Sequence, residues 1–345
     1  MEYLYSNFIT TRNFTYSYVH IKPTDVQKPY ILFLHGFPGS SYDWRHQIFC
    51  FEQMGYGIIV PDLLGYGGTS KPVDIRAYTG KGMAEDLMEL LKSEKIPQLI
   101  AIAHDWCASL DLLLRMIFLL IDGRGSFLLS RLANYFPDLF SKLAFLDVGY
   151  SAPGHGLTRE TVEFVNKSVK EAMGFEIFGY FLFFDEEDAA GLMSLNVDSL
   201  QSLMHSTNNE LGKEYIGATG GMRKWLGEKR IAKREDWLEP EAIEHDRKLF
   251  ARENGGYAAA LNWYRAQLHD INAEDDKAIP EANCILNQPV LLITTDNFIS
   301  ATADMATQMK VSAPNLQVEK VEGNHWIMLQ KNSDVNEILC RFVEH

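Results

Sequence analysis

A chain of 345 residues, 46% hydrophobic and 23% charged, carries enough apolar material for one large core or two modest ones, and its composition excludes a disordered polymer. A formal net charge of −14 excludes a broad nucleic-acid surface, because nothing would neutralise the phosphates, and points instead to a small ligand close to neutral. Cys50, Cys107, Cys284 and Cys340 lie far apart, with no CxxC pair and no metal-ligand spacing, and read as buried free thiols of a reducing compartment.

The opening stretch MEYLYSNFITTRNFTYSY lacks the basic region and continuous apolar run of a signal peptide, so a cytoplasmic protein is expected. Short β-rich runs bounded by turn residues follow at Ile31 to Leu34, Gly57 to Val60, Leu99 to Ala103 and Lys142 to Leu146, with helical patterns between most of them. The apolar stretch from Leu110 to Ile121 is too short to span a bilayer and carries Asp111 and Arg115, so no membrane span is expected. From Pro153 to about Asp270 no comparable strand run occurs, and aromatic, Met and charged residues recur at helical spacing. Strand patterns return at Pro289 to Thr294 and Leu316 to Val321, and a helix from about Ser333 to Val343 closes the chain. The pattern predicts an α/β fold: a mostly parallel sheet of about eight strands, built from residues 1–152 and 271–345 and interrupted by a helical cap over 153–270. A cleft between core and cap is the natural place for a ligand.

Chemistry concentrates at three motifs. In AIAHDWCA, Asp105 directly follows an apolar strand, with Ala103 two residues before and Cys107 two after. That is the small-x-nucleophile-x-small pattern of a nucleophile elbow, although an N-cap aspartate would fit the same spot. A carboxylate needs no base to attack, and it displaces at saturated carbon to leave an ester. HGFPGS, from His35 to Ser40, follows the Ile31 to Leu34 strand, and the N–H groups of Phe37 and Trp106 are candidates for an oxyanion hole, with Pro38 shaping the turn. Taken alone it is also an ordinary Gly-Pro turn. In EGNHW, His325 sits just past the Leu316 to Val321 strand, where a neutral imidazole could activate water. A histidine in such a loop is otherwise commonly a surface or packing residue. The glycines Gly65, Gly67 and Gly68 do not make a dinucleotide fingerprint, because its third glycine falls on Ser70.

HGFPGSSYDWRHQ, GIIVPDLLGYGGTSKP, HDW, LDVGYS, LNWYRA and GNHW together resemble the epoxide hydrolase branch of the α/β-hydrolase family, the fungal-type soluble enzymes in particular, over nearly the whole chain. The resemblance implies hydrolysis of a small apolar epoxide by water, with no cofactor and no metal. It also implies two cap tyrosines that donate to the epoxide oxygen, matching Tyr180 in FGYFLFF and Tyr264 in NWYR, and it places Trp106 beside Asp105. Two departures stand out. Residues Cys107 to Arg124 interrupt the family pattern between HDW and GSFLLSRLANYFPD, either as a true insertion or as translated intron sequence; deleting them restores the pattern without remainder, which favours the second. The family's orienting acid would fall at Phe298, which cannot accept a hydrogen bond. Asp296 is taken as the substitute, with Asp147 in FLDVGYS as its rival. Without an orienting acid, the ester would accumulate. A haloalkane dehalogenase and a catalytically impaired binding protein stay open as alternatives, and a homodimer is compatible with the sequence.

Overall fold

The protein is described by a computed structural model that covers residues 3–105, 126–154, 156–302 and 304–345. The insert-like segment Cys107 to Arg124 therefore lies outside the described residues. Eight strands form one sheet in the order β1-β2-β4-β3-β5-β6-β7-β8. They are β1 (Tyr5–Ile9), β2 (Thr15–Ile21), β3 (Tyr30–Leu34), β4 (Gly57–Pro61), β5 (Leu99–His104), β6 (Phe140–Leu146), β7 (Val290–Thr294) and β8 (Leu316–Lys320). From β4 through β8 the pairing is parallel, whereas β1 pairs with β2 and β2 with β4 antiparallel.

The central strands legible in the sequence, β3 to β7, are buried on both faces, whereas β8, also read from the sequence, is a largely exposed edge strand. Along β3, Leu32 and Leu34 face one apolar cluster and Ile31 and Phe33 the other; β5 divides in the same way into Leu99, Ala101 and Ala103 against Ile100 and Ile102. Such strands read as continuous apolar runs. The two at the antiparallel edge escaped the sequence reading because polar residues interrupt them: YSNFI in β1 is almost wholly exposed, and TYSYVHI in β2 is mixed. Helix α1 (Arg45–Gln53) and the closing helix Asn332–Glu344 contribute to one cluster, while α2 (Gly80–Ser93) and α3 (Phe127–Tyr135) contribute to the other.

Between β6 and β7 the described residues form helices and turns and no strand. This stretch includes α4 (Arg159–Met173), α5 (Gly179–Phe184) and the Asn262–Leu268 helix. The last of these docks on the Gly65–Ser70 turn region, where the Trp263 indole N–H donates to the Leu64 carbonyl at 2.7 Å and the Asn262 amide donates to Pro72 and Val73. The glycine-rich loop is thus a turn supporting the cleft rather than a phosphate cradle. It is organised by Asp62, which accepts from the Ser41 backbone and hydroxyl and from Gly68 N–H. A Cβ at Gly67 would lie 1.9 Å from the Asp62 carboxylate, and φ there is +49°.

One buried ion pair joins the core to the end of the helical stretch. Arg131 of α3 grips Asp276 with two hydrogen bonds of 2.8 and 2.7 Å and also donates to the Ser151 carbonyl, while Asp276 accepts from Gly154 N–H. Both side chains are almost fully buried. Removing one partner of such a pair strands the other charge in a poorly solvated site. Asp276→Ala is therefore expected to lower the unfolding free energy by about 3–5 kcal/mol in urea titration. Replacing Arg131 and Asp276 together by apolar residues of similar volume should cost much less.

Candidate active site

The site begins where β5 ends. Asp105 follows His104 with φ at +65°, a left-handed conformation that aspartate tolerates better than most residues, and this turns its carboxylate out of the strand direction. Its Oδ2 accepts from Phe37 N–H at 2.8 Å. That approach requires Gly36, since a Cβ there would sit 2.3 Å from Asp105 Cβ. The Phe37–Pro38 bond is cis. His35 fixes the turn from behind: Leu63 N–H donates to its Nε2 at 3.0 Å, which makes Nδ1–H the donor to the Gly36 carbonyl at 2.9 Å. Holding that carbonyl orients the Gly36–Phe37 peptide whose N–H meets Asp105. The sequence reading treated HGFPGS as a backbone motif and gave His35 no role. Trp106, the other expected oxyanion donor, lies outside the described residues.

His325 enters from the loop after β8. Its backbone is pinned on both sides: its N–H donates to Asn324 Oδ1 at 2.7 Å, and its carbonyl accepts from His104 Nε2 at 2.8 Å. The imidazole lies between two carboxylates. Nδ1 is 2.6 Å from Asp147 Oδ2, and Nε2 is 3.5 Å from Asp105 Oδ1. Asp147 stands at the end of β6, fully buried, with φ at +65° like Asp105. Besides the imidazole it accepts from the hydroxyls of Thr295 and Ser300 and from the Asn297 amide at 3.1 Å.

Asp296, taken from the sequence as the acid behind His325, does not face it. Its side chain is about half exposed and pairs with Lys320 at 2.7 Å, because it points to the surface while its neighbours Thr295 and Asn297 point inward to Asp147. Phe298 is likewise no gap in the site. It is buried, lines the cleft, and packs so close to two glycines across the interface that a Cβ at Gly212 or Gly217 would come within 2.6 or 3.1 Å of its ring.

Asp105, His325, Tyr180 and Tyr264 line one cavity, together with Asp147, Phe37 and Phe298. It encloses about 670 Å³ of empty space, including the part open to solvent. Tyr180 comes from α5 and Tyr264 from the Asn262–Leu268 helix; their ring centroids are 5.9 Å apart and nearly perpendicular. Phe37 packs edge-on against Tyr264 at 5.3 Å, joining the tyrosine wall to the turn that holds Asp105. Apolar Met204, Ile216 and Ile299 complete much of the remaining wall.

Electrostatics separate the groups by role. Burial alone would push the Asp105 carboxyl up, but His325 outweighs it and holds the pKa down at about 2. Burial would lower His325, yet the Asp105 and Asp147 carboxylates raise it to about 10. Asp147 is likewise held below its ordinary value, the imidazole and hydroxyl donors overcoming desolvation. His104, buried beside the same imidazole, drops to about 4 and is neutral. Neither His104 nor the Asp147 cage of Thr295, Asn297 and Ser300 was singled out in the sequence.

A family model described as the α/β-hydrolase fold matches residues 29–110. The chain is 25% identical over 324 residues to bifunctional epoxide hydrolase 2 of Rattus norvegicus, a match covering 92% of this chain and 52% of that protein, so it spans about half of that relative. It is 24% identical over 354 residues to epoxide hydrolase srdG of Neurospora crassa, covering 97% of this chain and 94% of the other. The crystal structure of epoxide hydrolase A from Mycobacterium thermoresistibile matches with a TM-score of 0.75 over 99% of this chain and 98% of that one, at 24% identity, which establishes a common fold.

The raised imidazole value has a definite sign. Attraction between His325 and its carboxylates stabilises the fold fully below the ordinary histidine value of 6.5 and is lost as pH rises towards about 10. The depressed Asp105 contributes above its ordinary 3.8 and fades as pH falls towards about 2. NMR titration of His325 is expected to show an imidazolium persisting well above neutrality, and Asp105→Asn should move the transition down because one of the two carboxylates is gone. A His325 pKa unchanged by that substitution would contradict this arrangement.

Proposed function

We propose that this chain, an α/β hydrolase by its fold, opens an epoxide with water to a vicinal diol through an alkyl ester on Asp105. The convergence of an ionised carboxylate, a carboxylate-backed imidazole and two phenols on one cavity carries this assignment. Phe37 N–H occupies Oδ2, which leaves Oδ1 as the attacking oxygen. As Oδ1 bonds to an epoxide carbon, the carbon–oxygen ring bond breaks, and the ring oxygen takes a proton from Tyr180 or Tyr264. The tyrosinate recovers its proton from solvent.

Water then cleaves the ester. In the resting site His325 is protonated and cannot act as a base. Esterification removes the Asp105 charge, one of the two carboxylates that raise the imidazole, so the proton is released more readily once the ester exists. Neutral His325 takes a proton from water, and the hydroxide adds to the ester carbonyl. Phe37 N–H holds the resulting oxyanion on Oδ2, and collapse expels the diol oxygen, which takes the proton back from His325. The acid left on Asp105 passes its proton to the neutral imidazole, restoring the resting pair. Asp147 keeps Nδ1 as the protonated nitrogen, so that Nε2 is the basic one, and it stabilises the imidazolium. With an acid in place behind His325, sustained turnover is expected rather than a burst that stalls at the ester.

A small epoxide with an apolar body suits the Phe37, Met204, Ile216 and Phe298 walls. The thiols of Cys50 and Cys340 suit a cytoplasmic setting, and among the described residues no helix is long and apolar enough to cross a membrane.

A single turnover in heavy-oxygen water tests the ester directly. The heavy label is expected in the Asp105 side chain and not in the first diol, since the diol oxygen comes from the carboxylate; label in the diol alone would mean direct attack by water. Asp147→Asn should lower kcat on the order of 10³ to 10⁴-fold and let the ester accumulate on the Asp105 peptide, whereas Asp296→Asn should leave turnover near normal. Tyr180→Phe and Tyr264→Phe should each slow ester formation by about 10² or more. Release of halide from a haloalkane, without diol from any epoxide, would favour the dehalogenase reading.

A further inference from the structure

Cys50 and Cys340, which read in the sequence as two unrelated thiols, are neighbours. Their sulfurs are 3.6 Å apart, Cys50 near the end of α1 and Cys340 on the closing helix, and neither lines the substrate cavity. Both are half-buried rather than sealed in the core. Cys340 is also 3.4 Å from the Met54 thioether. A polar contact also joins the two helices: the Gln47 amide of α1 donates to Asn336 Oδ1 on the closing helix at 2.9 Å, and to the Met328 carbonyl in the turn of helix before it at 3.1 Å. Ile48 and Phe51 on α1 and Leu339 and Phe342 on the closing helix are buried in the same apolar cluster.

We propose that Cys50 and Cys340 are a disulfide-forming modification site, closed by a thiol oxidant of the organic disulfide class, which staples α1 to the closing helix. The chemistry balances with oxidised glutathione as the named oxidant. Cys50 thiolate attacks one glutathione sulfur, the glutathione disulfide bond breaks, and the first glutathione leaves as thiolate and takes a proton. Cys340 then loses its proton and attacks Cys50 Sγ, forming the protein disulfide and expelling the second glutathione. At 3.6 Å the second thiol stands beside a mixed disulfide formed on the first, so resolution needs no distant partner. The sulfurs must close from 3.6 Å to about 2 Å, within reach of side-chain rotation and a small helix shift. The resulting ring would enclose nearly the whole chain, where a cross-link constrains the unfolded state most.

The test uses the full reduced chain with oxidised glutathione near neutral pH, followed by alkylation and mass spectrometry. The expected result is loss of two hydrogens, a linked peptide pair containing Cys50 and Cys340, and a thermal midpoint raised by about 5 °C or more. Cys340→Ser should instead trap glutathione on Cys50, because the resolving thiol is gone. Wild-type protein whose Cys50 and Cys340 both remain free to alkylate would overturn the proposal. So would a stable glutathione adduct on Cys50 despite Cys340, or a linked peptide joining either residue to Cys107 or Cys284 instead.

Discussion

Two carboxylates at the ends of neighbouring parallel strands hold one imidazole between them, and the geometry of the cleft depends on that arrangement. The β5–β6 register sets His104 opposite Leu146, so the next residues, Asp105 and Asp147, leave the sheet at the same level. Both have φ at +65°, a conformation costing a non-glycine residue on the order of 1–3 kcal/mol. The strands beneath them are buried on both faces, and it is this rigid support that keeps two strained residues in place. The close approach at Gly36, the cage around Asp147 and the pinned loop of His325 all serve the same three side chains.

A buried cluster of two negative charges and one positive is tolerable only if its remaining acceptors are satisfied. Asp147 meets this condition with two hydroxyls, an amide and the imidazole; Asp105 accepts from Phe37 at Oδ2 and keeps Oδ1 3.5 Å from His325 Nε2. On the proposed reading, the asymmetry separates a carboxylate built to stay charged and still from the one that reacts. His104 avoids adding a further charge by remaining neutral.

Much of this was legible in the chain. The apolar runs at Ile31, Gly57, Leu99 and Lys142 marked the central strands, and an aspartate directly after the Leu99 run marked the elbow. The antiparallel strands β1 and β2 were hidden because polar residues interrupt them and neither has a continuous apolar run. The acid behind His325 could not be chosen from spacing, since Asp147 and Asp296 both follow strands. What decides between them is local: β7 ends so that Thr295 and Asn297 face inward and Asp296 outward. The signal available was the likeness of FLDV to AHDW, each an aspartate closing an apolar strand. The packing of Phe298 against Gly212 and Gly217 links positions some eighty residues apart and leaves no trace in local sequence.

Asp105, Asp147 and His325 all stand on loops leaving the sheet, whereas Tyr180 and Tyr264 stand on helices between β6 and β7. On the proposed reading, the base and its orienting acid therefore belong to one rigid body and the proton donors to another layer. A displacement of the helical layer would stop ring opening yet leave water's attack on an existing ester aligned. On the same reading Asp147 orients the imidazole from the end of β6, while Phe298, held against Gly212 and Gly217, sets the shape of the chamber.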